Sequence, residues 1–310
     1  MSFRSGFVSI IGRPNAGKST LLNALVGEKV AIVTKKPQTT RNRIQGMVNV
    51  KAKKGRQAGQ IIFIDTPGVH KPQSQLSRRM MQEVHDALEG RDLILLIVDA
   101  SQKFGTGDEF VLDLVKRTGG PVFLLLNKVD LLHKERLLPL IAEYSKLHDF
   151  AEVIPISAHT GHGLDTLLDK VIARLPQGPK YFPADQITDQ PERFLASEII
   201  REKVLMATGQ EVPYATAVVI ERFEEGKKLT RIAATIFCER GGQKAILIGK
   251  GGEMLKKIGT GARLELEKRL GTKVFLELFV KIVADWRSSK RFIDDLDWRK
   301  QLENLTVGHE

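Results

Sequence analysis

The stretch FVSIIGRPNAGKST, residues 7–20, joins an apolar run to a glycine-rich segment and the start of a helical pattern. The segment fits G-x-x-x-x-G-K-[ST], a loop whose backbone N–H groups surround phosphate oxygens when it lies between a strand and a helix. In such a loop Lys18 reaches the β- and γ-phosphates, and the hydroxyl of Ser19 binds Mg²⁺. The sequence therefore predicts a nucleoside triphosphate site. Its predicted nucleotide-binding residues are Gly12, Arg13, Pro14, Asn15, Ala16, Gly17, Lys18, Ser19 and Thr20.

Length and composition limit the number of domains and the cellular compartment. The 310 residues are enough for two domains, each with its own core. No apolar run approaches the roughly 18 residues of a membrane span. Because the predicted first strand already begins at residue 7, we expect no targeting segment before it. The single cysteine, Cys238, cannot form an internal disulfide. We therefore expect a protein of the reducing cytoplasm.

Positive charge is distributed unevenly along the chain, whose formal net charge is +11. Residues 240–273 hold nine Lys and Arg against three Asp and Glu, whereas residues 181–310 as a whole hold 22 against 20. A basic window on a balanced background is typical of a surface that binds a polyanion. A solvated basic helix face has the same composition, so the window alone leaves both interpretations open.

The first half of the chain alternates short apolar runs with helical patterns. Such alternation predicts an α/β sheet covered by helices on both faces. The predicted strands are 7–11, 44–50, 60–65, 93–98, 121–126 and 152–156, and the predicted helices lie near 18–26, 76–88, 107–117, 135–147 and 163–174. Strands 44–50 and 60–65 are joined without a helical pattern, so we expect them to form an antiparallel hairpin.

A proline-rich connector at 176–191 separates this first domain, 1–175, from a second one at 192–310. In the second domain the order of elements becomes α-β-β-α-α-β-α, which predicts a small α+β domain. Its predicted helices are 192–208, 242–248, 252–257, 260–270 and 284–297, and its predicted strands are 214–224, 229–239 and 273–282.

Three further polar segments follow predicted strands, where open α/β sheets place their ligands. Asp65-Thr66-Pro67-Gly68 offers a carboxylate that can bind Mg²⁺ and an N–H, of Gly68, that can bond the γ-phosphate.

The other two segments predict a site for a base. In Asn127-Lys128-Val129-Asp130, the carboxylate of Asp130 can accept hydrogen bonds from guanine and would repel the ring nitrogen of adenine. Ser157-Ala158 can present a backbone N–H to the guanine O6. All these residues except Val129 are predicted to bind the nucleotide.

Because the four segments occur in this order, residues 7–174 resemble the guanine-nucleotide-binding domain of the translation-factor-related GTPases. The resemblance implies an α/β P-loop GTPase domain with a mostly parallel sheet, which hydrolyses GTP to GDP with Mg²⁺. It also implies a switch threonine that closes on Mg²⁺. Thr39-Thr40-Arg41 resembles the branch of these GTPases that acts in tRNA modification and ribosome assembly, which implies Thr40 as the metal ligand beside Ser19 and Asp65.

Val69 stands where Ras-like enzymes have a water-orienting glutamine, and its side chain cannot position water. In the branch that this chain resembles, an asparagine at the Asn15 position is associated with K⁺ beside the phosphates; a turn-stabilising role for Asn15 is the alternative. The predicted catalytic residues are Lys18, Thr40 and Asn15.

In the second domain, Gly249-Lys250-Gly251-Gly252 contains Gly-x-x-Gly between two helical patterns, followed by Lys256 and Lys257. Gly-x-x-Gly alone is more often a helix-breaking turn. With the preceding strands and the added lysines, the domain resembles a type II KH domain, whose loop holds about four nucleotides of single-stranded RNA. All six of these residues are predicted RNA contacts.

Together, the two domains resemble a family of bacterial ribosome-assembly GTPases with a C-terminal KH domain. That resemblance implies binding to the 3′ end of 16S-type small-subunit rRNA and to the small ribosomal subunit. One alternative is a membrane-associated signalling or cell-cycle GTPase that holds anionic lipid with its basic surface. Another is an RNA-binding protein in which hydrolysis is vestigial. The sequence identifies no obligate protein partner.

Overall fold

A computed structural model of the chain describes residues 3–209 and 211–299. Its described residues divide into two compact units. The first runs to Asp189, except for Pro72–Arg78, which are grouped with the second, and the second begins at Gln190. The outer bounds predicted for the two domains, 1 and 310, lie outside the described residues.

The first unit contains a six-stranded sheet in the order β2-β3-β1-β4-β5-β6. Its strands are β1 (Arg4–Ile11), β2 (Ile44–Val50), β3 (Gly59–Asp65), β4 (Leu93–Asp99), β5 (Val122–Asn127) and β6 (Glu152–Pro155). All neighbouring strands are parallel except β2 and β3, which are antiparallel and confirm the predicted hairpin.

Helices cover both faces of this sheet, as the alternation predicts. They are α1 (Lys18–Val26), α2 (Gln75–Leu88), α3 (Thr106–Thr118), α4 (Leu137–Ser145) and α5 (Leu164–Arg174). One core cluster contains buried residues of α1 and α5, and the other contains residues of α2, α3 and α4. Strand β4 contributes Leu95 to the first cluster and Leu96 to the second, because successive side chains point to opposite faces. A strand covered on both faces therefore reads as a continuous apolar run.

The second unit is an α+β domain built on a three-stranded sheet in the order β7-β8-β9. Its elements are α6 (Glu192–Ala207), β7 (Ala217–Glu224), β8 (Leu229–Cys238), α7 (Gly241–Ile248), α8 (Glu253–Leu270), β9 (Lys273–Ile282) and α9 (Lys290–Asp295). Strands β7 and β8 are antiparallel, whereas β8 and β9 are parallel.

Three predicted helices of this unit are wrong. The separate helices 252–257 and 260–270 are one helix, α8, which continues through Gly259 and Gly261. An interior glycine costs a helix about 0.5–1 kcal/mol, but α8 buries Ile258, Ala262 and Leu266 in the core, and this packing outweighs the loss.

The predicted terminal helix 284–297 is instead a 3₁₀ turn, Trp286–Ser288, followed by the short helix α9. The hydroxyl of Ser289 accepts a hydrogen bond from the Phe292 N–H and so starts a new helix at this point.

The connector after α5 packs onto the first unit, and the buried side chain of Gln60 in β3 makes several of the contacts. The Gln60 Oε1 accepts hydrogen bonds from the N–H groups of Tyr181 (2.8 Å) and Phe182 (3.0 Å). The Gln60 Nε2 donates to the Phe182 carbonyl at 2.9 Å and to the Asn49 side chain at 3.0 Å. This part of the predicted linker is therefore an ordered edge of the first unit.

Replacing Gln60 by Leu should loosen this connector. The substitution keeps the size of the side chain but removes the partners of part-buried backbone groups of 181–182, which costs at most about 1–3 kcal/mol each. We expect a lower thermal midpoint and faster proteolysis between 176 and 189. The matched control is Gln82→Leu at an exposed glutamine of α2. Equal proteolysis of the Gln60 variant and the unmodified chain would contradict the role of Gln60.

Candidate functional site

The predicted phosphate loop lies between β1 and α1, with its backbone held in a tight turn. Gly17 has a φ of +105°, and a Cβ there would lie 2.2 Å from the Asn127 Nδ2, so only glycine fits. The Lys18 Nζ is buried and donates to the carbonyls of Gly12 (3.1 Å) and Arg13 (2.9 Å). The first N–H groups of α1 face the loop, as in helix-terminal phosphate sites.

The three predicted metal ligands meet at one point. The Ser19 Oγ donates to the Asp65 Oδ2 at 2.6 Å and lies 2.8 Å from the Thr40 Oγ1. Asp65 is fully buried, and its Oδ1 has no hydrogen-bond partner among the described residues. Two hydroxyls and a carboxylate with a spare buried oxygen form an all-oxygen set that suits Mg²⁺.

The structure distinguishes the two adjacent switch threonines. The Thr39 Oγ1 lies 2.7 Å from the Thr34 Oγ1 and donates to the Lys36 carbonyl at 2.7 Å. Thr39 therefore stabilises its own loop, while Thr40 is the one that reaches Ser19.

Burial shifts the pKa values of the two charged groups at this point. It raises the pKa of Asp65 to about 6, although Lys18 and the hydrogen bond from Ser19 act in the opposite direction. Burial also lowers the pKa of Lys18 to about 8 against the attraction of Asp65. Strongly desolvated, opposite charges in one cluster are typical of functional sites.

Asn127 joins the phosphate loop to the loop after β6. Its Nδ2 donates to the Ala16 carbonyl at 2.8 Å, and its Oδ1 accepts from the Ala158 N–H at 2.9 Å. The Ser157 N–H donates to the His162 carbonyl at 3.0 Å. Both amides of the Ser157-Ala158 segment thus have protein partners, so the N–H predicted to bond the guanine O6 would have to share one of these bonds. Asp130 is exposed on the adjacent turn.

Two acidic residues of the site, Asp99 and Asp108, were not predicted from the sequence. The Asp99 Oδ2, at the end of β4, accepts a 2.6 Å hydrogen bond from the Lys128 Nζ, which also donates to the Asn15 carbonyl at 2.9 Å. Asp108 of α3 pairs with the Arg13 guanidinium at 3.0 Å. The phosphate loop is therefore held from two sides. The signal in the sequence is the position of Asp99 at a strand end, beside the other motifs.

Val69 and Asn15, from which hydrolysis without a glutamine is predicted, lie in different surroundings. The Val69 side chain is buried in the core, and its N–H donates to the Gly12 carbonyl at 3.2 Å, so neither group is available to orient water. Asn15 is exposed with a φ of +63°, and its Nδ2 donates to the Lys35 carbonyl at 2.9 Å. Asn15 therefore ties the phosphate loop to the switch segment.

The predicted RNA-binding loop lies between α7 and α8. Gly249, Gly251 and Gly252 have φ values of +73°, +60° and +84°, which side-chain-bearing residues rarely adopt. Lys250 is exposed at the tip of the loop. Lys256 and Lys257 are also exposed, on the first turns of α8. The loop thus combines three glycines in the left-handed region, two of them with open space around the Cβ position, with three cations.

Comparisons with known families match both units. The family described as 50S ribosome-binding GTPase matches residues 7–128, and the KH domain family matches residues 211–287. The fold and the site define a P-loop GTPase with a C-terminal KH domain. The chain is 53% identical to GTPase Era of Geobacter metallireducens over 96% of its own length and 98% of the relative. It therefore belongs to the Era family, and it hydrolyses GTP to GDP and phosphate.

Other relatives agree with this assignment. GTPase Era of Syntrophus aciditrophicus is 50% identical over 96% of each chain. A crystal structure of Era in complex with MgGDPNP and nucleotides 1506–1542 of 16S ribosomal RNA matches with a TM-score of 0.89 at 41% identity, over 94% of this chain and 97% of that one. A variant of Aquifex aeolicus Era bound to GDP·AlF4⁻ matches with the same TM-score at 42% identity and the same coverage.

Replacing Asp99 by Asn should weaken nucleotide binding. The substitution keeps the shape but removes the charge that holds Lys128 against the phosphate loop, so we expect about tenfold lower affinity for a fluorescent GDP. The control is Asp113→Asn at an exposed position of α3. Unchanged affinity of the Asp99 variant would contradict the role of this pair.

The shifted pKa of Asp99 predicts how the contribution of the Asp99–Lys128 pair to stability depends on pH. Burial alone would raise the pKa of Asp99, but hydrogen bonds from Lys128 and Ser101 and the charge of Lys128 together lower it below its usual value. A carboxyl with a lowered pKa stabilises the fold above its unfolded pKa, and the contribution disappears as pH falls through the folded value. The contribution of this pair should therefore stay constant from neutral pH down to about pH 4.

Proposed function

We propose that this GTPase couples its nucleotide state to binding of single-stranded rRNA at the 3′ end of the small-subunit rRNA, and so assists assembly of the small ribosomal subunit in the cytoplasm. The observation that carries the proposal is the presence in one chain of the Ser19–Thr40–Asp65 cluster and the glycine loop at 249–252. The solved complex of a relative with MgGDPNP and a 16S rRNA fragment supports it. GTP must then stabilise an arrangement whose affinity for RNA differs from that of the GDP-bound protein.

In this proposal Ser19, Thr40 and Asp65 hold Mg²⁺. The unpartnered buried Oδ1 of Asp65 supports the assignment, since a buried carboxylate oxygen without a donor suits a cation. When bound, the metal offsets negative charge on the β- and γ-phosphate oxygens. Thr40 belongs to the switch segment, so its contact with Ser19 gives the switch a route to sense the phosphates.

Asp130 is proposed to select guanine. Its exposed carboxylate follows β5 on the turn next to Asn127 and Lys128, both of which are hydrogen-bonded to the phosphate loop. A base there would present its ring N–H and amino group to the carboxylate. Adenine would leave the carboxylate unpaired, which discriminates strongly.

The variant Asp130→Asn should transfer preference from guanine to xanthine nucleotides. The new amide can donate to the xanthine carbonyl and loses its pairing with the guanine amino group. Competition between GDP and XDP for the protein measures this directly. A variant that still prefers GDP to the same degree would refute the role of Asp130.

Hydrolysis is proposed to depend on Lys18, Thr40 and a K⁺ ion near Asn15 instead of a glutamine. The Asn15 side chain bonds the Lys35 carbonyl, which brings side-chain and backbone oxygens to one edge of the phosphate loop. Oxygen atoms of this kind suit a hard monovalent cation. Without an activating partner, hydrolysis should be slow, on the order of 10⁻⁴ to 10⁻² s⁻¹.

Exchanging Na⁺ for K⁺ at constant ionic strength should raise the rate of GTP hydrolysis several-fold, because the cation adds positive charge beside the phosphates. In Asn15→Ala the two salts should give the same rate. Single-turnover phosphate release measures both. Equal rates in Na⁺ and K⁺ for the unmodified chain would remove K⁺ from the proposal.

The glycine loop is proposed to hold the RNA backbone. Its left-handed glycines allow phosphates to approach the main chain, while Lys250, Lys256 and Lys257 supply charge. Bases would then lie against the apolar residues that flank the loop.

A double substitution, Lys250→Asp with Gly251→Asp, should abolish binding of a short single-stranded RNA because it places two negative charges against phosphates. GTP hydrolysis should be unaffected. Fluorescence anisotropy at two salt concentrations tests the first expectation, because binding through phosphates weakens steeply with salt. Retained RNA affinity in this variant would contradict the clamp.

Membrane association stays an alternative that rests on positive charge alone. None of the helices in the described part of the chain combines the length and apolar character needed to cross a bilayer. Co-sedimentation with anionic liposomes, compared with RNA binding in the same buffer, separates the two uses of a basic surface.

A further inference from the structure

The sheet of the second unit has a face, opposite α6 and α8, that carries two exposed phenylalanines. Along β9, Val274 is buried and Leu278 packs against the core, whereas Phe275 and Phe279 point the other way with 47% and 52% of their surface exposed. Single exposed aromatics are common, but two on one strand of one sheet face form a patch. Four residues along a strand separate the two rings by about 13 Å.

Cations accompany these rings. The Arg231 guanidinium lies 5.9 Å from the centre of the Phe275 ring. Lys273 and Lys281, two positions before Phe275 and after Phe279, are also exposed.

The carboxylates of the face are already paired. Glu277, which lies between the two phenylalanines, is 3.3 Å from the Arg222 guanidinium, and Glu224 is 3.8 Å from the same group. Arg222 carries one positive charge between these two acids. The four cations of the face still outnumber Glu224 and Glu277 and leave it positive, although Lys273 is also 3.8 Å from the Glu267 carboxylate.

A buried hydroxyl without a hydrogen-bond partner, that of Thr235, lies beneath the side chains of this face. Thr235 pairs with Phe279 across β8 and β9 and is 1% exposed, and its hydroxyl has no hydrogen-bond partner among the described residues. At the far end, Phe237 packs edge-to-face on Phe292 of α9, with ring centroids 5.1 Å apart. The face is therefore closed at that end and open over Phe275 and Phe279.

We propose that this open sheet face is a second binding surface for single-stranded RNA, on which bases stack against Phe275 and Phe279. Exposed aromatic rings beside cations are the features with which sheet-based domains hold single strands. Two rings are too small an apolar area for a stable protein interface, which needs roughly 800 Å² from each partner. The inference rests on the proposed function, since it gives the same RNA a second contact distinct from the glycine loop.

The test compares a five-nucleotide and a thirty-nucleotide oligouridine by fluorescence anisotropy. The short strand is sufficient for the glycine loop, which holds about four nucleotides, and the long one can reach both surfaces. In the double variant Phe275→Leu, Phe279→Leu, affinity for the long strand should fall at least about tenfold, because leucine keeps the apolar surface but cannot stack. Affinity for the short strand should not change.

Matched variants separate stacking from other effects. Phe275→Tyr with Phe279→Tyr keeps the rings and should bind the long strand like the unmodified chain. Leu138→Ala, at a residue of the first unit that is 76% exposed, is the control for loss of an exposed apolar side chain and should also have no effect. Thermal unfolding of each variant verifies that the fold is intact.

The position of contact is read by crosslinking. With 4-thiouridine in the long strand, irradiation should yield a crosslinked peptide that contains Phe275 or Phe279, in addition to one from the glycine loop. A leucine double variant that binds the long strand within twofold of the unmodified chain would overturn the inference, as would crosslinks confined to the loop. Failure of the unmodified chain to bind either strand would instead overturn the proposed function.

Discussion

The nucleotide site depends on the side chain of one buried asparagine. The Asn127 amide donates to the carbonyl of Ala16 and accepts from the N–H of Ala158, so it holds the phosphate loop and the loop after β6 at a fixed separation. An aspartate would set an acceptor against the Ala16 carbonyl, and an apolar residue would leave two buried backbone groups unpaired at about 1–3 kcal/mol each. Because Asn127 is 2% exposed, water cannot replace these bonds. The geometry for phosphates and the geometry for the base are thus set together.

Other strand ends and two ion pairs also fix the position of the phosphate loop. Parallel strands bring β1, β3, β5 and β6 to the same edge of the sheet, so residues distant in sequence meet there. Lys128 with Asp99 holds one side of the phosphate loop, and Arg13 with Asp108 holds the other. Thr40 approaches from the switch segment and contacts the Ser19 hydroxyl at 2.8 Å. The phosphate loop is therefore held from two sides, and the switch segment contacts this region through Asn15 and Thr40.

Much of this arrangement follows from spacing along the chain. The motif residues Ser19 and Asp65 are recognisable because phosphate and metal chemistry restricts residue type and position. The position of Asp99 at a strand end is visible in the sequence, but its pairing with Lys128 is not, and Asp108 has no such signal. An ion-pair partner can lie anywhere in the sequence, and only the fold brings it close. Gly259 was misleading for a related reason: local propensity favours a helix break, but the tertiary packing of α8 outweighs it.

The dependence of RNA affinity on nucleotide state is tested most directly by titrating one single-stranded oligonucleotide, with the sequence of the 3′ end of small-subunit rRNA, into protein saturated with GDP or with a non-hydrolysable GTP analogue. A molecular switch predicts dissociation constants that differ by at least about fivefold, the lower end of typical coupling between sites. The reciprocal experiment should show the same factor in nucleotide affinity when RNA is bound. Equal RNA affinity in the two states would contradict the switch, whatever the rate of hydrolysis.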